Sequence, residues 1–373
     1  MTLNILIYFP YNLRTVEQQS VMEMLVKKGH KVVLLTTCKR GYLHEYMESK
    51  GVIAEAVDSE APGKVSFYRS NMKKLKTVLE KYSIDIVIAH QQITALIAGL
   101  VRKTKKFKLI YVRHNSDEDY QLNYTKAKWF NKIINSLTPV KLAPSSVVEN
   151  FWKQKEKVTS NQINRINYGY NFNQYESPVS SEVELIKKKY PAKLRILSIA
   201  RLVPSKRHAL MFSIVKKLVE EGIDCKLICL GSGTLDDDLV NIVKALNMQQ
   251  HIFLLGRKEN IFDYIDAADC FLHLSSTEAS NSAVKEVALC KKPVIVCKGV
   301  GDFDDYIIHG ENSFLVDRDH PEGETFSILR SMAEGEMKND LVGNKLFQAV
   351  TTKFDISNIA EKYEQLLNQV VKK

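Results

Sequence analysis

Residues 270–298 read CFLHLSSTEASNSAVKEVALCKKPVIVCK: an apolar run, a polar turn, a helical-length segment and a second apolar run rich in valine and isoleucine. That succession is the pattern of a strand, a crossover helix and a parallel strand. Followed outward, it continues in both directions. LRILSIA, CKLICLG and IFLLG precede it in the same half, and the first half offers NILIYF, KVVLLTT, DIVIAH, LIYVRH and VKLAPS, separated by amphipathic segments such as VEQQSVMEMLVKKG. The expected class is α/β, with two facing, Rossmann-like, doubly wound parallel-sheet domains. Between the halves, NQYESPVSSEVELIKKKYPAK (173–193) combines proline, serine and charge and reads as a hinge. The predicted organisation is a first domain over 1–172, the hinge over 173–193, a second domain over 194–355, and a C-terminal helix over 356–373 that packs back across the structure.

A chain of 373 residues is long for one core and comfortable for two. Hydrophobic residues make up 45% and charged residues 26%, and no run approaches the ~18 consecutive apolar residues of a membrane span. MTLNILIYFP enters an apolar run without a basic leader or a small-residue cleavage site, so it reads as a first strand and the expected location is cytoplasmic. The six cysteines, at 38, 225, 229, 270, 290 and 297, lie mostly in or beside strand-like runs without C-x-x-C spacing and read as reduced core thiols.

The net charge of +10 arises within residues 61–135, where there are 15 Lys or Arg against 5 Asp or Glu. There, VSFYRSNMKKLKTVLEKY sets cations among Phe67, Tyr68, Met72, Leu75 and Leu79, which suits a helix lying peripherally on anionic lipid at the inner membrane face. A solvated basic face is the alternative. No nucleic-acid module accompanies the charge, so nucleic acid is not an expected partner.

In open parallel sheets, ligands bind outside the carboxyl ends of the strands. Pro10, Tyr11, His90, His114, Arg201, Gly231, Gly233, Gly256, Glu278, Gly299 and Gly301 stand at such ends. Glu278 and Glu286 raise the possibility of an acid and base pair, as in glycoside hydrolysis, where the carboxyls lie roughly 5–9.5 Å apart. Eight helical residues rise about 12 Å, too far for one scissile bond but suited to the two ends of an elongated ligand. Two solvated acids are the plainer reading. Asn281 is an N-cap candidate that leaves the N–H groups of residues 282–284 facing an anion.

In motif order, the second half resembles the retaining nucleotide-sugar glycosyltransferases of family 4, the group 1 glycosyl transferases, whose fold is GT-B. The resemblance rests on EASNSAVKE, on ARLVPSK, on CLGSGTLDDDLVNIVKALNMQQHIFLLG and on GVGDFDDYIIHGENSFLV, with looser agreement in the first half and in INYGYN around Gly169. It implies transfer of a hexose from a nucleotide sugar, a UDP-sugar first, to a hydroxyl of a glycan or lipid-linked acceptor in cell-surface polysaccharide synthesis. The anomeric configuration would be retained, with the leaving phosphate taking the acceptor proton.

By the same resemblance, Arg201 and Lys206 grip the donor's diphosphate, which makes a metal or other cofactor unnecessary. Glu286 holds the ribose hydroxyls, Glu278 lies near the transferred sugar, and the backbone around Ala279, Ser280, Asn281 and Ser282 meets sugar and phosphate. Gly231, Gly233, Gly256 and Arg257 complete the donor side. His114 resembles the first-domain histidine beside the reacting sugar, with His90 a second candidate on the acceptor or sugar side. Glu278, His114, Arg201 and Lys206 are the catalytic candidates.

The chain departs from the pattern at four places. Arg14 and Thr15 stand near the usual Gly-Gly pair, Arg207 follows Lys206 where glycine is common, Ala279 follows the first glutamate, and Lys285 replaces an apolar residue before the second. Two other classes remain open: another GT-B enzyme, such as a nucleotide-sugar epimerase or phosphorylase, and a non-catalytic subunit of a glycan-assembly complex.

Overall fold

The structure is a computed structural model that describes residues 2–57, 63–114 and 118–372. The chain divides into two compact units, Met1–Phe172 with Phe354–Lys373, and Asn173–Lys353. In the first, strands β1 (Asn4–Phe9), β2 (Lys31–Thr36), β3 (Ile53–Ala56), β4 (Ile86–His90), β5 (Lys108–Val112), β6 (Val140–Ala143) and β7 (Ile163–Arg165) form a parallel sheet in the order β3-β2-β1-β4-β5-β6-β7. The second holds β8 (Leu194–Ile199), β9 (Cys225–Leu230), β10 (Ile252–Leu254), β11 (Cys270–His273), β12 (Val294–Cys297) and β13 (Phe314–Val316), also parallel, in the order β10-β9-β8-β11-β12-β13. Each sheet reverses its winding once, between β1 and β4 and between β8 and β11. A crevice opens outside the carboxyl ends at such a point.

The central strands read as near-continuous apolar runs because both faces are covered by helices. Ile5, Ile7, Ile86, Ile88, Ile110 and Val112 are all buried in the core of the first unit. The C-terminal helix Ile356–Lys372 lies on that same core through Ile359, Tyr363, Leu366, Leu367 and Val370, each worth roughly 1.5–3 kcal/mol on full burial. It comes so close to the segment before residue 172 that a Cβ on Gly169 would meet Ile356 Cδ1 at 2.5 Å and Ile359 Cβ at 3.1 Å.

Two sequence expectations change. The supposed hinge 173–193 carries the helix Ser180–Lys189, which buries Val183 and Ile186 and packs on the helix Ile261–Ala267. Val179 N–H donates to Asp263 Oδ1 at 2.7 Å, so the segment is part of the second unit. In the basic stretch, of which residues 61–62 and 115–117 lie outside the described residues, the helix Lys64–Lys81 turns Leu75 and Leu79 into the core. Those leucines are not offered to lipid. Part of the charge is also paired: Lys74 and Lys81 meet Glu55 at 2.8 and 2.9 Å, and Lys105 meets Glu80. Among the described residues, no helix is long and apolar enough to cross a membrane. The cysteines are free thiols; Cys225, Cys229, Cys270 and Cys297 are buried and Cys38 and Cys290 half-buried.

Candidate functional site

The second unit gathers its chemistry at the switch point between β8 and β11. After β8 the chain passes Arg201 and makes a short 3-10 turn, Pro204–Lys206, which returns Lys206 beneath the loop that follows β11. Lys206 Nζ donates to Glu278 Oε1 at 2.5 Å and to Ser275 Oγ at 3.3 Å. His273, the last residue of β11, places Nε2 at 2.7 Å from the same carboxylate oxygen, and Asn281 Nδ2 donates to it at 3.1 Å. The loop is held to the turn by Ser276 N–H on Ser205 O at 2.9 Å.

Burial alone pushes the Glu278 carboxyl up, but the hydrogen bond from His273, the Lys206 charge and the Lys206 hydrogen bond outweigh it and hold it down at about 2. A group ionised throughout the neutral range is no general acid. As a carboxylate it is the partner of Lys206 and can accept hydrogen bonds.

Asn281 caps the helix Ser282–Leu289, its Oδ1 accepting the Val284 N–H at 3.1 Å. The expectation of three free amides is therefore corrected to two, Ser282 and Ala283, since the cap takes the third. Those two point their N–H dipoles out of the positive end of the helix, where an anion is favoured. Glu286 follows one turn later, half-buried.

These groups line one cleft of about 460 Å³, together with Arg201, Gly231, Arg257, Ser280 and Ser282. Arg201 is exposed and, among the described residues, makes no ion pair. Arg257 Nε donates to Ser232 Oγ at 2.9 Å. Gly233, Gly256 and Ala279 do not line the cleft; they shape it. Gly231 has φ +137°, and a Cβ there would lie 2.0 Å from Ala200 O; one on Gly233 would lie 2.3 Å from Leu202 O. Only bare Cα atoms let the loop after β9 close on the loop after β8. Gly256 accepts the Gly231 N–H at 2.9 Å, and Ala279 is buried.

At the departures from the family pattern, Arg207 adopts φ 54°, the left-handed region that glycine enters freely, and its Nη1 donates to Arg318 O at 2.5 Å. Lys285 is fully buried. Its Nζ donates to Asp302 Oδ1 and Oδ2 at 2.7 and 2.6 Å and to Ser280 Oγ at 3.0 Å, while Ser280 Oγ donates to Asp302 Oδ2 at 2.6 Å. A buried ion pair thus ties the cleft-lining Ser280 to the loop after β12. Next to Asp302, Gly301, at φ +60°, lets that loop pass Glu278, whose Cβ would stand 2.9 Å from an added Cβ. Sequence reasoning missed His273, Ser275 and Asp302. The signal available for His273 was a histidine closing an otherwise apolar strand.

His90 and His114 belong to the first unit, at the ends of β4 and β5. Their rings meet, Nδ1 of His90 to Nε2 of His114 at 2.8 Å, and the Tyr168 hydroxyl closes on His114 Nδ1. Phe9 packs edge-on against both. Burial pushes His114 down to about 3; burial and the neighbouring His114 push His90 well below its ordinary value. Both are neutral hydrogen-bonding groups near pH 7, and Tyr168 is a further member that the sequence did not single out. Gln91, just after His90, holds φ 70°, a strained conformation at the ligand-facing edge.

Two families match along the chain: the one described as Glycosyltransferase Family 4 over residues 19–174, and Glycosyl transferases group 1 over residues 182–345. An uncharacterized glycosyltransferase of Methanocaldococcus jannaschii is 25% identical over 241 residues, 60% of this chain and 57% of that relative. The N-acetyl-alpha-D-glucosaminyl L-malate synthase of Bacillus anthracis is 20% identical over 94% of this chain and 92% of its own. Among solved structures, Anabaena HepE in complex with UDP-glucose superposes with a TM-score of 0.83 at 17% identity, covering 98% of this chain and 100% of that one. The fold is GT-B, and the chain belongs to the family 4, group 1 glycosyltransferases.

Proposed function

We propose that this group 1 glycosyltransferase moves a hexose from a nucleotide sugar, a UDP-sugar first, to a hydroxyl of a glycan or lipid-linked acceptor in cell-surface polysaccharide synthesis. It retains the anomeric configuration and works in the cytoplasm at the inner membrane face. The observation that carries this reading is an exposed Arg201, without an ion pair among the described residues, beside the Lys206–Glu278 pair in a switch-point cleft that ends on a helix N-terminus.

A nucleoside diphosphate sugar carries two negative charges between two hydroxylated ends. Arg201 forks onto phosphate oxygens, Lys206 adds a point charge, and the amides of Ser282 and Ala283 take a remaining oxygen. Glu286 accepts from the ribose and the ionised Glu278 from the sugar. As the glycosidic bond breaks, charge collects on the diphosphate, where these cations already stand, so no metal is required. The leaving phosphate, the strongest base at the reacting carbon, takes the acceptor proton; in the first unit, neutral His114 is a hydrogen-bonding group for a hydroxyl. The UDP-glucose in the HepE structure and the sugar named for the Bacillus anthracis relative support a UDP-hexose or its N-acetylated form.

The test is incubation of the pure protein with UDP, GDP and ADP sugars, read by thermal shift, donor consumption and the anomeric configuration of the product. A donor at 100 times its dissociation constant should stabilise the protein by about 2.7 kcal/mol. Glu278→Gln should lose transfer at least 100-fold with the fold intact, and chelation should leave the rate unchanged. Failure of every donor to bind or react would sink the proposal.

A further inference from the structure

Ser280 lines the cleft of the second unit, and two fully buried side chains hold it from behind. Its Oγ donates to Asp302 Oδ2 at 2.6 Å and accepts from Lys285 Nζ at 3.0 Å. Neither direction can be reversed, because an ionised carboxylate only accepts and an ammonium only donates. A hydroxyl has one hydrogen and two lone pairs, so the hydrogen and one lone pair are engaged inside the protein. The second lone pair is what Ser280 offers to the cleft.

An ordinary serine turns its hydroxyl to suit either a donor or an acceptor. Here a turn would take the hydrogen away from a buried carboxylate, which keeps its charge only while it is hydrogen-bonded and paired. The Tyr306 ring, its centroid 4.9 Å from Lys285 Nζ, favours the ammonium form of the lysine and so the same arrangement. Glu278, two residues before Ser280, is of the same kind. Its Oε1 accepts from Lys206 Nζ, His273 Nε2 and Asn281 Nδ2, and among the described residues Oε2 has no protein partner. Both residues line the cleft, and both present lone pairs without a polarised hydrogen.

Building on the transferase reading, we propose that the Lys285–Asp302 pair fixes Ser280 as a hydrogen-bond acceptor, and that Ser280 thereby selects the donor's sugar: the ring position that faces it must carry a hydroxyl or an acetamido N–H. A deoxy or fluorinated position leaves the lone pair unanswered, and a carboxylate there meets it with lone pairs of its own. Phosphate oxygens are turned away from Ser280 for the same reason and are left to Arg201 and the amides of Ser282 and Ala283. Lys285 and Asp302 are positioning residues, since only Ser280 reaches the cleft.

The full chain is given the UDP, GDP and ADP derivatives of glucose, mannose and N-acetylglucosamine. For the donor consumed fastest, each sugar hydroxyl or acetamido group is then replaced in turn by fluorine, which cannot donate. Dissociation constants and kcat/KM are measured for the parent, for Ser280→Ala, and for Lys285→Met with Asp302→Asn, whose amide both donates and accepts and so lets the hydroxyl turn. The inductive effect of fluorine on bond breaking is common to the three proteins, so the differences between them isolate the contact. At one ring position the parent should lose about tenfold in affinity and in kcat/KM. Ser280→Ala should lose less than about threefold there and as much as the parent at every other position, and the paired variant should lose clearly less than the parent at the same position. Equal losses in parent and Ser280→Ala at every position overturn the selection, and an undiminished loss in the folded paired variant overturns the part assigned to Lys285 and Asp302. Consumption of a donor without any such position counts against the selection alone. A parent that neither binds nor consumes any of these donors refutes the transferase reading, and the selection with it.

Discussion

Replacing Lys285 by methionine keeps the stem and removes the charge. Lys285 and Asp302 have fully buried side chains, 2.6 Å apart. Without the ammonium, Asp302 keeps Ser280 Oγ at 2.6 Å as a donor and loses its counter-charge. Removing one partner of such a pair costs about 3–5 kcal/mol, because the other is left buried and uncompensated. At about 2–4 °C per kcal/mol for a unit of this size, the loss is on the order of 10 °C.

The pH dependence carries the sign. Burial already pushes the Asp302 carboxyl up despite Lys285, and without the lysine it must rise further. An acid whose folded pKa lies above its unfolded value binds its proton more tightly when folded. The stability of the variant should therefore fall as pH rises, by about 1.4 kcal/mol per unit between the unfolded and folded values, and should recover on acidification toward pH 5. Lys285→Met with Asp302→Asn should return to within about 1 kcal/mol of the parent, since the uncompensated charge is gone.

Urea unfolding separates the units. Trp129 and Trp152 both lie in the first unit, so the loss should move the far-ultraviolet circular dichroism transition and leave tryptophan fluorescence in place. A single variant within about 0.5 kcal/mol of the parent, flat between pH 5 and 8, would refute the reasoning.

Arg201→Ala should lower kcat/KM for the nucleotide sugar about 100-fold with little change in melting temperature, because the side chain is exposed and makes no ion pair among the described residues. Gly231→Ala, which sets a Cβ 2.0 Å from Ala200 O at a positive φ, should cost about 1–3 kcal/mol and abolish the donor-induced thermal shift. His90 and His114 have lowered folded pKa values, so their contribution is complete above the unfolded value of about 6.5 and is lost as pH falls below it. Fluorescence-monitored stability of the first unit should drop by up to about 1.4 kcal/mol per pH unit for each histidine, and His90→Gln should flatten the slope.

The central strands were legible because a strand buried on both faces must be nearly continuous in apolar residues, as IVIA within DIVIAH and LICL within CKLICL are. The edge strands β3, β7 and β13, reading IAEA, INR and FLV, are three or four residues long; hydrogen bonding to a neighbour defines them, and sequence does not show that neighbour. The helix Lys64–Lys81 exposes a deeper limit. A stripe of Leu75 and Leu79 among lysines has the same period whether it faces lipid or core, and only tertiary contacts decide; here they give it to the core. On Tyr124–Leu137, by contrast, Trp129 and Ile133 stand exposed on a polar face. At the cleft of the second unit, Arg201, Lys206 and Glu278 were named together from the sequence, but their coupling was not legible: the ion pair joins residues 72 apart through the switch point. Lys285 shows the same thing in one residue. Read along the chain, it is a cation intruding on an apolar helix face; in the fold, Asp302 stands 17 residues on, after the next strand, and the two together replace apolar packing with a charged clamp on Ser280. A lysine in that position is tolerable only with its aspartate, so the departure at Lys285 stands or falls with Asp302.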